Sequence, residues 1–437
     1  MKPVRIGLLG LGNVGGVVAR ELLQRQNLLE KAAGTPLVLQ RVAVREPQKH
    51  RGATGPALDT DPMRVACADD VDVVVELMGG LEPARSVVQA ALEHQKSVVT
   101  ANKRLLAWHG DALTALAARR HVDLRYEASV GGGIPLLAPL EDDLAANRVL
   151  ELRAIINGTT NYILTQMASG TSFATALADA QARGFAEADP TADVDAIDAV
   201  DKLALLVRIA FGVRCTPDAL FREGIRELDV KDLALGKELG YVLKLIASAR
   251  RTPEGVEARV HPAFLPQSHP LARIDGAQNA VQVIGDLSGP VMFSGQGAGG
   301  EATASAVLAD VVHIARRMAM GVPPSVPRSP QTDERLRPMA DVRTRCYFRL
   351  AVDDVPGVFA QLTQVLAAHH IGLASVLQRE PFKQGAAEVV LLTYEAPESA
   401  LAQAEVELAQ LPCTRAVRAR IRVDAPDSQG MASGVTP

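Results

Sequence analysis

Residues 4–15 read VRIGLLGLGNVG. The apolar run Val4–Leu9 has the length of a strand, Gly10-Leu11-Gly12-Asn13-Val14-Gly15 follows it, and a helical pattern from about Val14 to Leu29 then carries Val17, Val18, Leu22 and Leu23. In a strand, G-x-G-x-x-G, helix unit the glycines make a tight turn that lets the backbone approach a pyrophosphate at the helix N-terminus. Glycines also serve plain turns, so the motif is weak by itself. Here it opens an alternation of apolar strands (Leu37–Val44, Asp72–Leu77, Ser97–Thr100, Val122–Tyr126) with helices such as Pro83–Gln95. That alternation predicts an α/β protein whose N-terminal part is a Rossmann-type, doubly wound parallel sheet. It places Gly10, Gly12, Asn13, Val14 and Gly15 at a dinucleotide. The second strand ends in Arg45, where an NAD-selective site usually has an acid and an arginine can accept a 2′-phosphate. Glu46 is adjacent, so the expectation is NADP(H) preferred and NAD(H) possible.

Composition bounds the rest. The chain has 437 residues and a formal charge of −4, which implies two or three domains and gives no footprint for nucleic acid or an anionic membrane. No apolar run reaches a membrane span, and the N-terminus enters a strand directly, which reads as a cytoplasmic protein with no signal peptide. Cys67, Cys215, Cys346 and Cys413 are scattered, without metal spacing or a paired framework.

Further along, Thr100-Ala101-Asn102-Lys103 lies at the C-terminal end of a predicted strand, where open α/β sheets bind ligands. Glu127-Ala128-Ser129-Val130-Gly131-Gly132-Gly133-Ile134-Pro135 is a glycine loop that reads either as a hinge between domains or as backbone carbonyls turned towards a monovalent cation. After a strand at Leu152–Ile156, Asn157-Gly158-Thr159-Thr160-Asn161-Tyr162 opens a helix with polar caps. Met167–Arg183 is helical, and then comes GFAEADPTADVDAIDAVDK, Gly184–Lys202. A helix from near Asp193 to Phe211 would put Asp195, Asp198 and Lys202 on one narrow face. Asp198 and Lys202 are either an ordinary i,i+4 ion pair or a lysine held in an enclosed acidic site. Val256–Pro262 and Gln278–Leu287 read as strands of a mixed sheet, in a central α+β domain for substrate and dimerisation. Ser294–Gly300, with Gly297 and Gly299, is a glycine loop before a helix, Ala302–Met318, that returns to the first domain. It reads as a cover for the nicotinamide ribose or as a connector.

Several phrases resemble homoserine dehydrogenases: GLGNVG, TANK, NGTTNYIL, FREGI, LGYxLKL, and above all the signature carried by Ala180, Gly184, Asp189, Pro190, Asp193, Val194, Asp198 and Lys202. Ala196 stands where that signature has glycine. The resemblance implies an NAD(P)-dependent oxidoreductase that interconverts L-aspartate 4-semialdehyde and L-homoserine, on the way to threonine, methionine and isoleucine. It implies catalytic roles for Lys202 as proton donor, Asp198 as its holder, and Lys103 at cofactor and substrate. It also implies Glu187 at the substrate ammonium, with Asp193, Asn157, Gly158, Thr159 and Tyr162 shaping the pocket. A Na⁺- or K⁺-type site would use the backbone oxygens of Glu127, Val130, Gly132 and Ile134. Two other readings remain: a semialdehyde dehydrogenase with an activated cysteine, and a sensor that has lost catalysis.

The expected domains are 1–130, completed by about 300–320; 131–320 for substrate and dimerisation; a linker at 321–342; 343–424; and a disordered tail at 425–437. The β-α-β-β-α-β order of 343–424 predicts a ferredoxin-like fold. Asp354-Val355-Pro356-Gly357 resembles the turn by which ACT domains bind amino acids. The resemblance implies L-threonine as effector of a separate module on a flexible tether, in a homodimer or homotetramer.

Overall fold

The computed structural model describes residues 2–46, 48, 56–324, 332, 334–382 and 385–424. The expected tail at 425–437, and residues 325–331 and 333 of the expected linker, lie outside the described residues. Packing divides the chain into two compact units. The first takes residues 1–152, 198–220 and 278–335; the second takes 153–197, 221–277 and the chain from 336 on.

In chain order the first unit opens with β1 (Val4–Leu9), α1 (Asn13–Gln24), α2 (Gln26–Ala33), β2 (Leu37–Ala43), β3 (Ala57–Asp59), α3 (Pro62–Ala66), β4 (Val73–Glu76), α4 (Ala84–Glu93), β5 (Ser97–Thr100), α5 (Lys103–Arg120), β6 (Leu124–Arg125) and α6 (Leu137–Glu141). Then β7 (Val149–Ile155) leads to α7 (Gly158–Ala168), α8 (Phe173–Ala182) and α9 (Thr191–Val194) of the second unit, and α10 (Ile197–Phe211) returns to the first. The second unit has β8 (Phe221–Arg222), α11 (Val230–Glu238), β9 (Tyr241–Thr252) and β10 (Gly255–Pro266); the first has β11 (Gln278–Gly285), β12 (Gly289–Gln296) and α12 (Gly300–Met320). The second closes with β13 (Arg343–Asp353), α13 (Val358–Ala368), β14 (Leu373–Phe382), β15 (Ala386–Thr393), β16 (Ala396–Pro397), α14 (Glu398–Gln410) and β17 (Thr414–Val423).

The first unit is built on a parallel sheet in the order β3-β2-β1-β4-β5-β6, the doubly wound order expected from the opening motif. β1 is central and, apart from Arg5, which pairs with Asp72 at 2.7 Å, it is apolar, as a strand covered by helices on both faces must be. The expected return of the helix near 302–318 is seen in the core. Ala304, Val307, Val311 and Ile314 of α12 are buried with Ile6, Leu8, Val18, Leu22 and Val75, each large side chain gaining roughly 1.5–3 kcal/mol from burial. One expectation needs correction here. The single helix at 14–29 is broken at Arg25, whose backbone leaves the helical region at φ −107°, and α2 then turns Leu29 and Ala33 inward. The strand expected at 278–287 is present as β11, and β12 pairs back on it from Gln296 to Gly289, so the glycine segment expected as a loop from 294 starts inside a strand.

The second unit holds a mixed sheet. β9 and β10 form a long antiparallel hairpin, β10 pairs in parallel with β17 through Ala263 and Phe264, and β17-β13-β15-β14 run antiparallel. That last order is the one a β-α-β-β-α-β chain adopts in a ferredoxin-like fold, with α13 and α14 packed on one face around Phe348, Leu350, Leu362 and Leu401. Segment 343–424 is not set apart in packing from what precedes it. Arg349 is buried and donates to Asp232 of α11 at 2.6 and 2.9 Å, Tyr347 donates to the same carboxylate at 2.9 Å, and Arg422 donates to Glu223 at 2.5 Å. A charge taken out of water needs such partners, and Arg349 finds Asp232 outside the segment.

Candidate active site

The dinucleotide loop of the first unit has no room for side chains. Gly10 sits at φ +98°, and a Cβ there would lie 2.8 Å from the Leu77 carbonyl oxygen; one on Gly15 would lie 2.0 Å from the Gly10 oxygen. Gly12 caps α1 with no side-chain hydrogen bond, and the first turn, with Asn13 and Val14, carries no acid. Unclaimed amides at a positive helix end are what a pyrophosphate requires. A second glycine loop presses against this one, and a third against the second. Gly300 would place a Cβ 2.8 Å from the Asn13 oxygen, Gly132 would place one 2.4 Å from the Gly297 oxygen, and Gly133 donates to Gln296 at 3.2 Å. Gly299, at φ +111°, starts α12. Arg45 is exposed just past β2.

Lys103 is the first residue of α5, and Asn102 caps that helix by accepting from Leu105 at 3.1 Å. Asp198 and Lys202 are one turn apart on α10. The Lys103 ammonium lies 2.6 Å from Asp198 Oδ1, and the Lys202 ammonium donates to Oδ2 at 2.7 Å. One carboxylate therefore bridges two lysines, of which Lys202 is 11% exposed at its side chain and Lys103 39%. Burial pushes the Asp198 carboxyl up, but the charges of Lys202 and Lys103 outweigh it and hold the group well below the usual range. α5 and α10 are also joined lower down, where buried Arg208 donates to the Leu106 carbonyl at 3.1 Å over Gly110.

Asp201 was not expected. It is buried three residues past Asp198, and burial followed by the Asp198 charge pushes its carboxyl up to about 6. The signal was present in the sequence as an acid inside the apolar run from Ile197 to Phe211.

The second unit gathers another set. Asn157 caps α7 by accepting from Thr160 at 2.8 Å, which places Gly158 at the first turn, and its Nδ2 donates to Asp193 at 2.7 Å. The Thr159 hydroxyl donates to the Phe185 carbonyl at 2.7 Å. The carbonyl of exposed Glu187 accepts from Gln181 at 3.0 Å. The Tyr162 hydroxyl donates to Asp179 of α8, which commits it to helix packing. Lys244, in the phrase LGYVLKL, is buried and reaches Asn161 at 3.1 Å and the Ile274 carbonyl at 2.5 Å. Asp195 is not on the face of Asp198 and Lys202. It ends α9 and pairs with Arg226 at 2.5 Å, because Ala196 between the two helices has φ +60°.

In the loop from Glu127 to Ile134, Gly131 and Gly132 have φ +78° and +58°. The Glu127 carboxylate accepts from the amides of Leu136, Leu137 and Ala138, so any cation held there would use backbone oxygens. Among the described residues no group of three His, Cys, Asp or Glu could hold a metal. At the far end of the second unit, Asp354, Val355, Pro356 and Gly357 form an exposed turn, with Gly357 at φ +94° starting α13.

A family profile described as "Homoserine dehydrogenase, NAD binding domain" matches residues 10–127, and one described as "Homoserine dehydrogenase" matches 135–312. A homoserine dehydrogenase of Mycobacterium bovis is 42% identical over 437 residues, covering 97% of this chain and 98% of its own length. The chain belongs to the homoserine dehydrogenase family. It is an NAD(P)-dependent oxidoreductase acting on a CH–OH group. Another family member, from Pseudomonas aeruginosa, is 39% identical over 431 residues, covering 97% of this chain and 99% of its own length. The crystal structure of a homoserine dehydrogenase from Thiobacillus denitrificans superposes with a TM-score of 0.92 at 40% identity, covering 97% of this chain and 99% of that one. A hyperthermophilic archaeal homoserine dehydrogenase, solved in complex with NADPH, matches with a TM-score of 0.63 at 25% identity, covering 75% of this chain and 100% of that one.

Proposed function

We propose that the chain interconverts L-aspartate 4-semialdehyde and L-homoserine with Lys202 as the proton donor, and the observation that carries this is the pair of lysines on one buried carboxylate. The cofactor, when bound, supplies or accepts the hydride at the carbonyl carbon. Lys202 gives its proton to the aldehyde oxygen as the C–H bond forms, and takes it back in the reverse direction. Asp198 fixes both amines and keeps them charged. Lys103, the more exposed of the two, orients cofactor and substrate. Glu187 receives the substrate's ammonium, and Asp193, Asn157, Gly158, Thr159 and the ring of Tyr162 shape its site. A dehydrogenase with an acyl-enzyme intermediate would need an activated thiol, whereas burial pushes Cys215 and Cys346 up to about 12.

Arg45 supports NADP(H) over NAD(H). Na⁺ or K⁺ on the oxygens of Glu127, Val130, Gly132 and Ile134 is favoured by the two left-handed glycines and the occupied Glu127 carboxylate. The turn at 354–357 makes threonine feedback through an ACT domain the reading for the C-terminal segment. A cytoplasmic homodimer or homotetramer completes the proposal; no helix among the described residues is long and apolar enough to cross a membrane. The deciding experiment replaces Lys202 by Met. Turnover of aspartate semialdehyde should fall roughly 10²–10⁴-fold with cofactor affinity nearly intact. Wild-type turnover would remove Lys202 from the mechanism.

A further inference from the structure

Glu76 ends β4 and is fully buried. Its Oε1 accepts from the amides of Met78 at 2.8 Å and Gly79 at 3.1 Å, and its Oε2 accepts from the Thr100 hydroxyl at 2.6 Å. The same hydroxyl accepts from the Asn102 amide at 3.0 Å. Every one of these partners is a neutral donor, and both carboxylate oxygens accept. Among the described residues no cation pairs with it. The nearby cation at the start of α5, Lys103, sits on Asp198 instead.

Position gives this charge a use. Glu76 pairs with Leu9 of β1 on one side and with Thr100 of β5 on the other, and Leu77 abuts Gly10. A doubly wound sheet is two mononucleotide-binding halves. Arg45 follows β2 in the half that takes the adenosine end, so the nicotinamide end belongs over β4, β5 and β6. An oxidised nicotinamide ring is a cation and a reduced one is neutral. A buried carboxylate in a medium of low dielectric acts on such a charge with little screening. We infer that Glu76, beyond bracing the Met78–Gly79 turn, biases the site electrostatically towards the oxidised form of the cofactor. The inference rests on the dinucleotide-binding reading of the first unit.

The test measures dissociation constants of the full-length protein for NADP⁺ and NADPH separately, in the wild type, Glu76→Gln and Thr100→Val. Glu76→Gln removes the charge and nearly preserves the shape; Thr100→Val removes a brace and leaves the charge. The ratio of the oxidised to the reduced constant should rise roughly three- to tenfold in Glu76→Gln and stay at the wild-type value in Thr100→Val. An unchanged ratio in folded Glu76→Gln overturns the inference, and so does an equal rise in Thr100→Val. If Glu76→Gln does not fold, Glu76→Met takes its place: a raised ratio there supports the charge and an unchanged one overturns it. A wild-type protein that binds neither form would sink the cofactor reading, and this inference with it.

Discussion

At the scale of single residues, α10 carries two carboxyls that protein surroundings drive in opposite directions. Asp198 is pulled down by its lysines, so its contribution to stability is present above the ordinary carboxylate range and lost as pH falls below it. Asp201 is pushed from 3.8 to about 6, so the fold favours its protonated form. Its contribution is whole below pH 3.8 and is lost as pH rises through 6. Asp201→Asn should therefore stabilise the protein at pH 8 by roughly 1–3 kcal/mol, with no gain at pH 4. Urea titrations at the two pH values check this; equal stability of variant and wild type at pH 8 would show that Asp201 carries no such penalty. Arg45 makes the second prediction at this scale. Arg45→Ala should weaken NADP much more than NAD, since only NADP offers a phosphate to pair with. Equal losses, read as two dissociation constants, would remove the phosphate role. The i,i+4 spacing made the Asp198–Lys202 contact legible in the sequence. That Lys103 would take the other oxygen was not, because a hundred residues of chain give no distance.

At the scale of elements, the sequence was most informative where periodicity and glycine chemistry agree. The strand order around Val4–Leu9 and the return of α12 both followed from that. It was least informative at helix breaks. A continuous helix from Asp193 to Phe211 has good local propensity, yet the chain folds as α9 and α10 because the peptide between Asp195 and Ile197 must turn. Ile225 donates to the Val194 oxygen at 2.8 Å, and Gly224 approaches that oxygen so closely that a Cβ would meet it at 2.3 Å. The turn demands a left-handed residue, and this chain supplies Ala196 at φ +60° where the family signature has glycine. An L-residue in that region costs about 1–2 kcal/mol, partly offset because alanine loses less backbone entropy on folding than glycine. Ala196→Gly should raise stability by about 1 kcal/mol and keep activity. A drop in melting temperature on that substitution would mean the methyl's burial matters more than the backbone.

At the scale of the whole molecule, the C-terminal segment changes how regulation can be tested. A module on a free tether could be cut away to leave an active, uninhibited enzyme. Here Arg349 is buried against Asp232, and β17 is paired with β10. A chain ended at residue 335 should lose stability by several kcal/mol, since breaking a buried ion pair alone costs about 3–5. Millimolar L-threonine should lower the activity of the full-length protein, and Asp354→Ala should raise the concentration required. Undiminished activity in threonine would leave the segment a structural one.

The pairing of β17 with β10 has a temporal side as well. Ribosomes deliver the chain from its N-terminus, and regions usually fold as they emerge. The second unit cannot follow that rule stepwise, because the strand that lies against Ala263 and Phe264 is made long after them, at Thr414–Val423. Until Thr414–Val423 has cleared the exit tunnel, β10 has an unfilled edge, and unfilled edges recruit strands from other chains. Slow synthesis between β10 and β17 would prolong that exposure, so expression yield should fall when translation is slowed over Thr414–Val423.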